Sequence, residues 1–139
     1  MQLILLISLL FFSPQKAELS ATGLMECSKK DVVAVDAYLQ NSGFRLMNQY
    51  VPEGTIDYFY EYDDTRGTQI TVIAAMNSIS QYIILTGKET SQNLLEGFKN
   101  AGFSYNNTEG DTVIYKSGEN SLKYIKTDSV YQICLIFKN

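Results

Sequence analysis

Apolar residues recur along this chain with two spacings, and the switch between them marks its elements. Val32, Val35 and Leu39 fall at helical spacing behind Ser28, a good N-cap with Asp31 three residues on, and Gly43 ends the run. A second helical run carries Leu94, Leu95, Phe98 and Ala101, starts at Thr90 or Ser91, and ends at Gly102. The two exits match: Asn41-Ser42-Gly43-Phe44 and Asn100-Ala101-Gly102-Phe103. A phenylalanine just past the glycine supplies the apolar contact of a Schellman stop.

Behind each helix the spacing changes to two, the period of a strand. The first set of strands is expected at 44–50, 55–62, 68–76 and 81–86, the second at 103–105, 111–116, 121–126 and 131–137. Turn residues separate them: Pro52-Glu53-Gly54, the acidic stretch 63–67, Glu109-Gly110 and Ser117-Gly118-Glu119-Asn120. The chain therefore reads as an α+β protein of two tandem α-β-β-β(-β) repeats, about 28–87 and 88–139, forming one antiparallel sheet with both helices on one face. Units of this size are too small to fold comfortably alone, so 22–139 is expected to be a single domain.

Register follows from segregating apolar from polar positions, because a slip of one residue turns every side chain to the wrong face. Placing Tyr62 opposite Thr68, Tyr60 opposite Ile70 and Tyr58 opposite Val72 gathers the tyrosines with Ile, Val and Met under the helices. The opposite face then carries Asp57, Phe59, Glu61, Gln69, Thr71 and Ile73. In the second half Val113, Tyr115, Leu122 and Tyr124 point one way, and Thr112, Ile114, Lys116, Lys123 and Ile125 the other. The last strand splits into Tyr131, Ile133, Leu135 and Phe137 against Gln132, Cys134 and Ile136. The helix-free face is thus mixed rather than plainly polar, and Phe59, Ile73, Ile114 and Ile125, flanked by Glu61 and Lys123, are its candidate binding residues.

The N-terminus changes the picture of compartment. Residues 3–12 are almost wholly apolar, half the length of a membrane-spanning helix, and small residues follow at Ala17, Ala21 and Gly23. This pattern is expected of a secretory signal peptide over 1–21, cleaved somewhere within 17–23, although no Lys or Arg precedes the run. A secreted or periplasmic protein with no transmembrane segment in its mature form follows. In such a compartment Cys27 and Cys134 are candidates for a disulfide; the alternative is two free thiols, since Cys134 sits among apolar neighbours.

Composition narrows the chemistry. The 139 residues contain no histidine, which removes His-dependent nucleophilic catalysis and His-ligated zinc. Fifteen acids against 11 bases give a net charge of −4, an unfavourable balance for binding nucleic acid through its phosphates. The acidity is local: positions 22–87 hold 8 acids and 4 bases, while 88–139 hold 6 of each. Asp57 and Glu61 are the best carboxylate pair for a small glycan hydrolase, yet four residues along a strand separate their α-carbons by about 13 Å. No glycine loop for phosphate and no Asp-x-Asp-x-Asp-Gly calcium pattern occurs, so no cofactor, metal or catalytic residue is expected. The order of elements is similar to that of secreted inhibitor domains, outer-membrane assembly factors and TATA-binding folds, an analogy of order alone. The sequence reads best as an exported, non-enzymatic inhibitor-like or assembly module that binds a protein or peptide through its helix-free sheet face. A glycan hydrolase and a purely structural envelope protein are the alternatives.

Overall fold

The computed structural model describes residues 19–62 and 67–138. In chain order these form α1 (Ala21–Ser28), α2 (Val32–Asn41), β1 (Phe44–Tyr50), β2 (Ile56–Tyr62), β3 (Gln69–Ala75) and β4 (Ser78–Thr86). There follow α3 (Lys88–Asn100), β5 (Ser104–Glu109), β6 (Thr112–Ser117), β7 (Asn120–Lys126) and β8 (Tyr131–Ile136). The eight strands make one antiparallel sheet in the order β1-β2-β3-β4-β8-β7-β6-β5, and the class is α+β. α2 and α3 are each followed by a four-strand meander, α1 precedes α2, and the meanders meet where β4 pairs with β8. Ile83 stands opposite Cys134 at that seam. β1 and β5, the two outer strands, each carry a bulge, between Leu46 and Asn48 and between Tyr105 and Asn107.

The helix stops behave as their residues dictate. Gly43 and Gly102 sit at φ +95° and +110°, a left-handed conformation that an L side chain rarely adopts. After α3, the Phe103 amide donates to the Phe98 carbonyl at 3.1 Å, and the two rings meet edge to face at 5.9 Å. This is the Schellman bond with its apolar contact.

One face of the sheet and the helices share the core. Tyr60, Ile70, Val72, Tyr82, Ile84, Leu122, Ile133 and Leu135 are buried against Leu24, Val35, Leu39, Leu94 and Phe98. The register expected for the tyrosines is the one observed: Tyr60 opposes Ile70, Tyr58 opposes Val72, and the Tyr62 amide bonds the Thr68 carbonyl. Tyr60 and Tyr82 are thus core residues with tethered hydroxyls, and Tyr58 and Tyr62 pack half-buried against that core. Tyr82 donates to the Leu24 carbonyl at 3.1 Å, and Tyr60 to Asp36 at 2.8 Å.

Three expectations need correction. Ser28 is not an N-cap; it is the last residue of α1, and Asp31 caps α2 by accepting from the Ala34 amide at 2.9 Å. α1 itself was not foreseen, because Ala21 and Gly23 read as small residues around a cleavage point. In the structure Ser20 caps this helix, Ala21 and Leu24 are buried, and Gly97 of α3 comes close enough to Ala21 that a Cβ there would lie 2.9 Å away. The apolar run at 3–12 and position 17 lie outside the described residues, as does 63–66. Finally, Cys27 and Cys134 are free thiols. Cys27 packs with the helix layer while Cys134 stands on the opposite face, so the sheet separates two sulfurs whose α-carbons would have to approach within about 7 Å.

Candidate functional site: the helix-free sheet face

Residues directly paired across an antiparallel sheet point to the same side, so the register assembles the outer face row by row. The middle row runs Asn48, Phe59, Thr71, Ile83, Cys134, Lys123, Ile114, Asn107 from β1 to β5. One flanking row runs Tyr50, Asp57, Ile73, Gln81, Ile136, Ser121, Lys116, Ser104. The other runs Arg45, Glu61, Gln69, Leu85, Gln132, Ile125, Thr112, Glu109.

All six residues singled out from the sequence stand on this face. Phe59, Ile73, Ile114 and Ile125 do not form one cluster by themselves: Phe59 and Ile73 lie on β2 and β3, Ile114 and Ile125 on β6 and β7. Ile83, Leu85, Cys134 and Ile136 on the two central strands join them. Periodicity could not find Ile83 and Leu85, because Tyr82 to Leu85 is apolar without interruption, as central strands covered on both sides often are. Phe59 is 36% exposed, whereas Ile114 is 7% exposed although no helix covers it. Its row neighbours are Lys123 and Asn107.

Charge divides along the rows. Asp57 and Glu61 belong to β2, and Gln69 donates to the Glu61 carboxylate at 3.2 Å. Lys123 and Lys116 belong to β7 and β6 and are exposed. The face is therefore mixed: Thr71 separates Phe59 from Ile83 and Lys123 separates Cys134 from Ile114 along the middle row, with acidic residues on β2 and basic residues on β6 and β7.

Phe59 stands between Asp57 and Glu61 on this face, and neither carboxylate lines the cavities at the two ends of the sheet. The larger cavity, about 920 Å³, opens at one end of the sheet between the starts of α1 and α3, with Phe44, Tyr62, Leu94 and the Thr68–Thr86 pair in its wall. Those two buried hydroxyls bond each other at 2.8 Å. A smaller apolar groove of about 330 Å³ lies at the opposite end, between Val32, Val51, Ile56, Tyr58 and Met76. Among the described residues no three His, Cys, Asp or Glu side chains gather where a metal ion would need them, and no helix is long and apolar enough to cross a membrane.

Comparison of the chain with protein-family models, with curated protein sequences and with solved structures gives no match. The reading of function therefore rests on the fold and on this face.

Proposed function

We infer that the protein is an exported, non-enzymatic binding module that contacts a protein or peptide through its helix-free sheet face. The observation that carries this reading is the mixed character of that face, where exposed Phe59 and half-buried Ile73, Ile83, Ile125 and Ile136 stand among Thr71 and Lys123, with Asp57 and Glu61 on β2 and Lys116 on β6. A sheet face meant only for water alternates to polar residues, whereas extended apolar surface rimmed by charge marks contact sites. The apolar run at 3–12 supports export.

The test uses Lys123, which is exposed on this face. An amine-reactive cross-linker applied to the protein in its native setting is expected to give covalent protein adducts from Lys123. The Phe59→Ser/Ile125→Ser variant, with an unchanged circular dichroism spectrum, should lose them. Equal adduct yield from the folded variant would discard the reading.

A further inference from the structure

We propose that the helix-free face takes a second copy of this chain, in a face-to-face dimer whose two-fold axis runs parallel to the strands along the β4–β8 seam. The proposal rests on the binding reading above and names the occupant of that face. A two-fold contact brings one surface against itself, so the surface must be complementary to its own rotated image. Rotation about an axis along the seam keeps each row and exchanges strands across it: β1 meets β5, β2 meets β6, β3 meets β7, and β4 meets β8.

Applied to the observed register, this operation places Asp57 over Lys116 of the second copy and Arg45 over Glu109. Phe59 falls over Ile114, and Ile83 over Cys134. Symmetry doubles each of these, giving four pairs of opposite charge; Lys123 falls over Thr71 and Glu61 over Thr112, and no two like charges are opposed. The other in-plane axis, perpendicular to the strands, would exchange the outer rows. It would set Asp57 against Glu61 and Lys123 against itself, and like charges facing each other across an interface are costly. Self-complementarity thus selects one axis.

The size of the face agrees. Eight strands about 4.8 Å apart and about six residues tall at about 3.3 Å each give a footprint of about 760 Å², beside the roughly 800 Å² per partner of a stable interface. Stacked sheets pack about 10 Å apart with strands within about 30° of each other. Arg45 and Lys116 are long enough to span the offset that such an angle introduces away from the seam.

Sedimentation equilibrium of the full chain tests the proposal through charge exchange. The wild type is expected at twice the mass of one chain. Asp57→Lys or Lys116→Asp alone should raise the dissociation constant roughly tenfold or more, and the two together should restore it. Where either single variant fails to fold, the Arg45→Glu and Glu109→Arg pair gives the same comparison. A wild type that stays monomeric overturns the second copy as occupant, as does a dimer indifferent to both exchanges. If in that case Lys123 still cross-links to a different protein and the Phe59→Ser/Ile125→Ser variant does not, the binding reading stands without the dimer. Loss of both results removes both.

Discussion

The Tyr60 hydroxyl donates to the Asp36 carboxylate at 2.8 Å, tying β2 to α2 from beneath, while the next residue back, Phe59, points to the other side of the sheet. The two positions should therefore respond differently to substitution. Tyr60 is 2% exposed and its bond is to a charged acceptor, so Tyr60→Phe should cost about 1.5–3 kcal/mol, read as a lowered urea midpoint with unchanged slope. Gln40 also donates to Asp36, at 2.9 Å, so the carboxylate keeps one partner and the lower end of that range is expected. Phe59→Ser should cost less than Tyr60→Phe while altering association. A larger stability loss at Phe59 would mean that the outer face belongs to the core.

Burial raises the hydroxyl pKa of Tyr60, with the hydrogen bond and negative charge of Asp36 adding to it, and burial raises that of Tyr82. Below the ordinary tyrosine value of 10.0 both groups are protonated whether the chain is folded or not, so they add no pH dependence to stability there. Above it the unfolded chain releases protons that the folded chain retains, and stability falls at most about 1.4 kcal/mol per pH unit for each group. Urea titrations at pH 9, 10 and 11 should show the decline beginning near pH 10, and Tyr82→Phe should make it shallower.

The sheet was legible from sequence because β2, β3, β6 and β7 alternate and their hairpins admit only one register that keeps Tyr60 and Tyr115 with the apolar set. Both helix stops were legible from Gly43 and Gly102 with the phenylalanines behind them. What failed had physical causes. β4 and β8 lie at the centre of the sheet, where apolar residues occupy both faces, so Ile83 and Leu85 gave no alternation to read. α1 is short, and its small residues Ala21 and Gly23 lie where neighbouring helices approach closely, a packing demand that so short a run does not display as periodicity. The cysteine pair fell because an even count says nothing about which side of a sheet each sulfur occupies.

Close approach at α1 leaves two glycines little room for a side chain. A Cβ on Gly97 would meet the Ala21 Cβ at 2.9 Å, and one on Gly23 would run into the end of the Tyr38 ring. Tyr38 also accepts from the Ser20 amide at 2.8 Å, so displacing its ring disturbs the start of α1 as well. Gly97→Ala gains about 1 kcal/mol of helix propensity but overpacks the α1–α3 contact by about 1–3 kcal/mol. Both substitutions should lower the melting temperature. A rise with Gly97→Ala would show that the helices separate freely.

Both sulfurs should titrate as thiols. The unfolded, unreduced protein is expected to react with two equivalents of a thiol reagent per chain. In the folded protein both should react slowly: Cys134 is buried, and burial pushes the Cys27 thiol above its ordinary pKa and suppresses the reactive thiolate. No reaction in the unfolded protein would mean that the two are bonded after all.

The β3–β4 turn offers a stabilising change. Met76 and Asn77 both take positive φ, 51° and 70°, the pattern of a type I′ hairpin turn, which favours Asn-Gly. Left-handed backbone costs an ordinary L residue about 1–2 kcal/mol, and Met76, 98% exposed, gains little contact in return. Met76→Asn with Asn77→Gly keeps the hairpin and relieves that strain, while the added glycine gives back part of the gain through unfolded-chain entropy. A net stabilisation of about 0.5–1 kcal/mol is expected, seen as a melting temperature a few degrees higher. Met76 also borders the apolar groove with Val51 and Tyr58 but lies outside the helix-free face, so association through that face should be unchanged. A lower melting temperature would show that the methionine side chain holds the turn in a way its exposure does not reveal.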